Sequence, residues 1–504
     1  MQPSNYDSEF CGSLPIHLTN LIQPYGVLLV VDNDNMQIVQ ASENTEAVFS
    51  LPAGEVVNQP LNSFINNEAA AALGKKLAND FNDKIHSVWE IKGKRYVVLV
   101  HRAPRYLLIE IDTQPLTAGP RDAFVNVYQE LKYAMTAIEG ADTLEKACQL
   151  AANELKRISG FDKVMVYQFD PEWNGYVIAE ACESDMEKYY QFTFPASDIP
   201  KQARQLYLKN PYRFIPDRNY QPVKLYPVVN PLTNSFIDLS DCNLRSVAAV
   251  HVEYLKNMGV TASMSTRILY QDQLWGLIAC HHRTARHMSY EMCSVFEMLS
   301  GIISMKIASL QNQEGSVLSN FMSATWARIV ESVYRSEDLY SNLLAPDGIM
   351  KLLNATGVVL TKGNNFQTSG VVPADEMLEE LLLWLHTREL RRVYATNTLR
   401  EDYDYAKDFS RDASGMLVIP INYTTDRYLI LFRPEKIRVI NWGGNPDDRI
   451  RFEKDEKNYH PRNSFKQWQQ KVSGVAVPWR KEELDAAETL RAFIYEYETA
   501  PVTR

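Results

Sequence analysis

The stretch "NLRSVAAVHVEYLKNMGVTASMSTRILYQDQLWGLIACHH", residues 243–282, changes its period partway along. Its first half carries His251 and Tyr254 three apart, which places them on one face of a helix. Its second half reads as two strands, "ASMSTRILY" and "LWGLIACHH", around the turn "QDQ". Ser263 and Ser265, two apart on the first strand, share a face. His281 and His282 end the second strand. Adjacent strand residues point to opposite faces, so only one of them lines a given pocket, which argues against a metal held by both. Arg245 stands ahead of the helix. An Arg, a His, a Tyr and two hydroxyls suit carboxylate binding, with the guanidinium offering a bidentate fork. A helical His facing solvent, or satisfied in a core, fits the same pattern.

Outward from this stretch the chain keeps an α+β rhythm. "DKVMVYQFD" and "GYVIAEAC" are strands around the turn "PEWNG". A Pro- and Asn-rich insertion, about 211–243, separates the two strand pairs; a stretch of that length without periodicity is usually functional. Two helices precede the first pair, "AFVNVYQELKYAMTAIEG" and "TLEKACQLAANELKRISG", each with apolar residues at three- and four-residue spacing and a stop at Gly140 or Gly160. Nearer the N-terminus, "GVLLVV" (26–31) and the pair within "KRYVVLVHRAPRYLLIEID" (94–112) are strands of a small sensor-like domain that ends at the turn-rich "TQPLTAGPRD". Residues 287–335 read as nearly continuous helix, a spine with spare apolar faces for a partner helix. A third mixed domain follows from about 345. It contains the charged, irregular stretch 441–465 and closes on "KEELDAAETLRAFIYEYE".

In "FPASDIPKQARQLYLKNPYRF" (194–214), Asp198 lies between Pro195 and Pro200, with a helix after it. Proline is favoured at a first helical position, so the Asp198 carboxylate is expected near a helix N-terminus. Either it caps that helix, or a rigid turn presents its carbonyl and carboxylate to a ligand.

Composition narrows the classes. The chain has 504 residues, enough for about three domains of ~150 residues each. Its net charge of −10 disfavours nucleic-acid binding, which needs clustered Lys and Arg. No apolar run approaches the ~18 residues of a membrane span, and the polar, acidic start is not a signal peptide. Six scattered cysteines without CxxC spacing fit a reduced, cytoplasmic protein with neither a disulfide framework nor a zinc site. No motif orients a Cys–His nucleophile, so no enzymatic activity is expected of this chain.

Together, "PASDIP" (195–200), "HVEYLKNMGV" (251–260), "LWGLIACHH" (274–282) and "PRNSF" (461–465), with Cys11 upstream of "PIH…IQPYG", resemble the bacteriophytochromes. The resemblance spans nearly the whole chain. It implies a PAS domain at 1–118, a GAF domain at 119–315 and a PHY domain at 316–504 with a tongue hairpin at about 440–480. It further implies an N-terminal segment threaded through a lasso at about 215–243, with Ile22 near the crossing. The implied cofactor is biliverdin IXα, joined to Cys11 by a thioether. Val250 stands where plant and cyanobacterial relatives carry their attachment cysteine, so that route is closed.

The resemblance also implies residue roles. The Asp198 carbonyl, with Ile199 beside it, and His251 would face the pyrrole N–H groups. Tyr207, Arg213 and Arg245 would hold one propionate, and Ser263 and Ser265 would lie near the other. His281 would bond the D-ring carbonyl, with Tyr167, Phe194 and Tyr254 packed around that ring. Light would isomerise the bond between the C and D rings. Asp198 would then exchange Arg462 for Ser464 while the tongue refolds and Trp442 and Trp479 repack. A homodimer through the spine helices and an output domain or response regulator outside this chain are the implied partners, with no membrane. A non-photochemical sensor, holding haem or a cyclic nucleotide in the GAF domain, is the rival reading.

Overall fold

The computed structural model describes residues 15–78, 84–116, 120–336, 338–345, 347–362, 365–422, 427–446, 451–452, 459–461 and 463–499. Cys11 and Arg462 lie outside the described residues. The chain divides into two compact units. The first holds residues 1–310 and 441–468; the second holds 311–440 and 469–504.

The first unit contains two large, mainly antiparallel sheets that include the expected strands. In the N-terminal sheet the order runs Leu21–Ile22, Val223–Tyr226, Ile38–Ser42, Gly26–Asp32, Tyr106–Asp112, Lys94–Arg102, Ile85–Ile91. The run "GVLLVV" is apolar throughout because both faces of its strand are covered. Val27, Leu29 and Val31 enter one core, beneath Phe49, Leu61 and Trp89. Leu28 and Val30 enter another, beneath Leu225, Ile237, Leu239 and Leu244 of the insertion.

The insertion is therefore not structureless, and it clasps the N-terminal segment from two sides. Leu21 and Ile22 pair with Lys224 and Val223. On the other side Ser246 N–H donates to Leu21 O at 3.0 Å, and Gln23 N–H to Leu244 O at 2.7 Å. Ile22, between them, is fully buried.

The second sheet runs Tyr212–Ile215, Ala262–Tyr270, Gln273–His282, Lys163–Phe169, Gly175–Cys182, Thr193–Phe194 and then, through a parallel pairing of Trp442 with Thr193, the strands Arg438–Gly443 and Gln467–Val472. Helix Leu144–Ser159 lies against its even-numbered face. The Thr143 side chain caps that helix by accepting from Lys146 N–H, and Gly160 ends it at φ +64°, a conformation that costs glycine little. Val164, Val166, Met264, Ile278 and Cys280 pack beneath the helices. The odd-numbered residues of the same strands face the other way.

The spine is one helix of 47 residues, Tyr290–Ser336, beginning in the first unit and ending in the second. It corrects the reading that no segment is apolar enough to cross a bilayer, because one 18-residue window passes by length and composition; 44% of that window is buried inside the protein. The second unit is built on a five-stranded sheet, Asn365–Gly370, Gly357–Lys362, Arg427–Arg433, Gly415–Asn422, Tyr394–Thr396, with a core on each face.

Candidate functional site

Strand alternation builds the site. Arg213 pairs with Ser265, and Ser265 with Ala279; Ser263 pairs with His281, and His281 with Lys163. Residues opposite one another across a ladder share a face, so Arg213, Ser263, Ser265 and His281 all point away from the helices. They border a cavity of about 240 Å³ that is also lined by Tyr167, Phe194, Asp198, Ile199, Tyr207, Arg245, His251 and Tyr254. All thirteen expected pocket residues except Cys11, which lies outside the described residues, are thus brought together. His282, on the opposite face as anticipated, has Nδ1 3.0 Å from the Asp162 carboxylate.

One end of the cavity is cationic. Arg213 Nη1 donates to Asn243 O at 3.1 Å, and Nη2 donates to Arg245 O. Arg245 is buried, and its Nη1 donates to Ile16 O at 3.2 Å; its buried Nε has no hydrogen-bond partner among the described residues. Burial, then the neighbouring Arg213 charge, lowers the Arg245 pKa to about 9. Two guanidinium groups side by side would be relieved by an anionic ligand. The Tyr207 hydroxyl bonds Ser265 beside them, with burial raising its pKa.

The remaining walls are neutral and aromatic. His251 and Tyr254 stack at 5.9 Å with a 10° interplanar angle, as their spacing foretold. Burial and then the Arg213 charge depress the His251 pKa to about 4. The residue is half-buried, but its open surface faces the cavity. Burial, then Lys163, then His251 depress His281 to about 3. Both imidazoles are neutral at pH 7, fit to donate or accept a hydrogen bond. Phe194 packs 6.1 Å from Tyr167 and 5.6 Å from Tyr189.

These histidines make a prediction. Each has a folded-state pKa below its unfolded value of about 6.5, so the folded apoprotein binds fewer protons between those limits. Their contribution to stability is complete above pH 6.5 and is lost as pH falls toward 4. The apoprotein melting temperature is expected to drop across that window. H251Q and H281Q are expected to flatten the drop, as read by thermal scans from pH 7 to 4.

Asp198 does not cap the following helix. It ends a 3-10 turn, Ala196–Asp198, while helix Lys201–Lys209 starts after Pro200, which takes the cap position itself. The Asp198 Oδ2 instead accepts from the Tyr254 hydroxyl at 3.0 Å. Arg204, which the sequence reading passed over, reaches back from the helix and donates to Ile199 O at 2.7 Å. It holds the turn in place.

Residues of "PRNSF" meet helix Ala249–Asn257. Pro461 lines the cavity, Asn463 Oδ1 accepts from Asn257 Nδ2 at 3.1 Å, and Phe465 packs edge-on to Tyr254 at 5.0 Å. Ser464 is exposed, and its hydroxyl accepts from Lys466 N–H at 3.5 Å. Trp442 is buried on the strand beside Thr193. Trp479 is not gathered here. It lies in the second unit, where its Nε1 donates to Thr396 O at 3.1 Å and the Arg433 guanidinium lies 3.7 Å from its ring centroid. Ile16 and Pro461 also line the cavity; they fall within quoted motifs, but nothing in their local pattern separates them from ordinary apolar residues.

Three family models match successive parts of this chain. The PAS fold model matches residues 11–114, the GAF domain model 143–307 and the phytochrome region model 322–499. A bacteriophytochrome of Xanthomonas campestris is 33% identical, with 97% of this chain and 78% of that protein covered. Cyanobacterial phytochrome B of Nostoc is 34% identical over 98% of this chain. The chain spans 66% of that relative's length. Among solved structures, a bacteriophytochrome from R. palustris matches with a TM-score of 0.84 and 31% identity, covering 98% of this chain and 100% of that one. The Stigmatella aurantiaca phytochrome photosensory core module matches at 0.83 and 32%, covering 97% and 98%. With PAS, GAF and PHY regions in that order and relatives of this identity over nearly its whole length, the chain belongs to the phytochrome family and comprises its photosensory core.

Proposed function

We propose that this chain is the sensory core of a red/far-red light receptor that holds biliverdin IXα through a thioether at Cys11. The observation that carries this reading is the cavity's polarity: two crowded guanidinium groups at one end, neutral histidines and an aromatic wall elsewhere. An open-chain tetrapyrrole has that pattern, with two carboxylate tails, a hydrogen-bonding centre and flat apolar rings. When bound, it supplies red absorption and light-driven isomerisation between its C and D rings. Arg213, Arg245 and Tyr207 hold one propionate, and Ser263 and Ser265 lie by the other. His251 and the Asp198 carbonyl satisfy the pyrrole N–H groups, and His281 bonds the D-ring carbonyl.

Asp198 pairs with Arg462 in the red-absorbing state and with Ser464 in the far-red state, as the tongue refolds from strand to helix. This exchange is too small to act alone. Moving a balance from 1:99 to 99:1 needs about 5.5 kcal/mol, and one hydrogen bond to a charged group contributes about 1.5–3 kcal/mol. Repacking of buried tongue residues such as Trp442 and Phe465 supplies the rest. The spine carries the change toward a homodimer partner, through apolar side chains such as Met298 and Met305 that it leaves exposed, and toward an output module or response regulator.

Purified apoprotein given biliverdin is expected to develop a red band that red light converts reversibly. Cys11→Ser is expected to abolish covalent attachment, read as lost zinc-enhanced fluorescence on a denaturing gel, while the pigment still binds. Absence of any red band excludes the receptor reading. Persistent label in the Ser variant excludes Cys11 as the thiol.

A further inference from the structure

We propose that Lys163, which does not line the cavity, positions and electrostatically tunes His281 from the neighbouring strand, with Glu180 as its fixed counter-charge. Both side chains are 3% exposed, and the ammonium lies 3.7 Å from Glu180 Oε1. Lys163 stands directly opposite His281 on the ladder, so their side chains leave the same face of the sheet a strand apart.

Neither charge is free to turn away. The Lys163 ammonium donates to Glu187 O and sits 3.9 Å from the Tyr189 ring centroid. The Glu180 carboxylate accepts Tyr189 N–H through both oxygens, and Tyr190 N–H through Oε2, each at 3.0 Å. A buried charge pair is weak evidence of stabilisation, since desolvation offsets much of the attraction. Its placement behind a pocket histidine gives it another use. In a low-dielectric wall a fixed, oriented pair imposes a field on the imidazole that solvent does not relax.

The other groups facing His281 are few. Ser263 on the opposite neighbouring strand is neutral. His251 lies across the cavity and is itself subject to Arg213. Asp198, held by the Tyr254 hydroxyl, lines the same cavity. After burial itself, the Lys163 ammonium is the strongest influence disfavouring protonation of His281.

The role in light sensing rests on the assignment of His281 to the D-ring carbonyl; the electrostatic role does not. The test therefore has two arms. In the apoprotein, the His281 ring is followed by nitrogen NMR against pH. K163M is expected to raise its titration point by about one unit, and K163R to leave it near wild type. In the biliverdin-loaded protein, the D-ring carbonyl stretch is followed by infrared spectroscopy. K163M removes the cation and E180Q leaves it uncompensated, so the two variants are expected to shift that band in opposite directions.

A merely structural pair predicts shifts of one sign from both substitutions, since each loosens the same loop; that result overturns the proposal. An unmoved His281 titration in K163M overturns it as well, whatever the pigment does. A raised titration with no pigment binding in the wild type leaves the electrostatic role standing and sinks the light-receptor assignment instead.

Discussion

Gly175→Ala is expected to weaken biliverdin binding by ten- to a hundredfold without unfolding the protein. A methyl at residue 175 would lie 1.6 Å from Cε1 and from Cζ of the Tyr167 ring. Tyr167 is buried and packs edge-on to Phe169 at 5.3 Å. Tyr167 also lines the cavity, so the displaced ring is expected to move into that space. Overpacking of this kind costs about 1–3 kcal/mol, which falls on the site that the ring then occupies, and each 1.4 kcal/mol is about tenfold in affinity. Biliverdin titration of the purified variant measures it. The double variant Y167A/G175A, which frees the space, is expected to recover binding. Unchanged affinity and an unshifted red band in the single variant would show that Tyr167 yields elsewhere.

The second large effect is on stability and belongs to the second unit. Arg433 donates to Leu353 O at 2.8 Å, Asn354 O at 3.0 Å, Val477 O at 3.2 Å, Pro478 O at 3.0 Å and the Glu483 carboxylate at 2.7 Å. Both charged side chains are nearly inaccessible, at 4% and 6% exposure. Glu483 also accepts Arg480 N–H at 2.7 Å, fixing the start of helix Lys481–Thr499. Arg433→Met leaves that carboxylate and four carbonyls without their donor. Removing one partner of a buried pair costs about 3–5 kcal/mol, so the second unit is expected to melt well below the first. R433K keeps the charge but loses the fork and is expected to recover little. R433M combined with Glu483→Leu removes both charges and is expected to regain most of the loss. Denaturant unfolding of the three variants tests this, and a single variant as stable as wild type refutes it.

The strands were legible wherever period and turn chemistry agreed. "KRYVVLVHRAPRYLLIEID" became Lys94–Arg102 and Tyr106–Asp112 around its Pro-containing turn. Gly160 stopped its helix because only a left-handed residue fits there cheaply. His251 beside Tyr254, and His281 apart from His282, followed from helix and strand periods alone. The joining of these elements into one cavity was not so readable. Arg213 and Ser265 are far apart in sequence and meet only through ladder register. The Asp198 carboxylate looked like a cap because proline and a helix follow it, but a tertiary partner, Tyr254, won the competition. Glycine at 175 read as a turn residue, whereas its lack of a side chain also makes room for Tyr167. Trp479 carried no local sign that it belongs to the second core. The placement of Pro461 at the cavity and of Phe465 against Tyr254 was not readable from periodicity.

The clasp around residues 15–24 bears on how the protein must be made. The sheet of the first domain takes its strand Val223–Tyr226 from residues synthesised about a hundred positions after that domain's own last strand. Half of its apolar faces, those of Leu28, Val30 and Leu108, wait for the same late segment. Contacts of such long range raise the entropic cost of closure and slow folding. A fragment ending after Tyr106–Asp112 is therefore expected to expose that apolar face, and the two leading domains are expected to fold together.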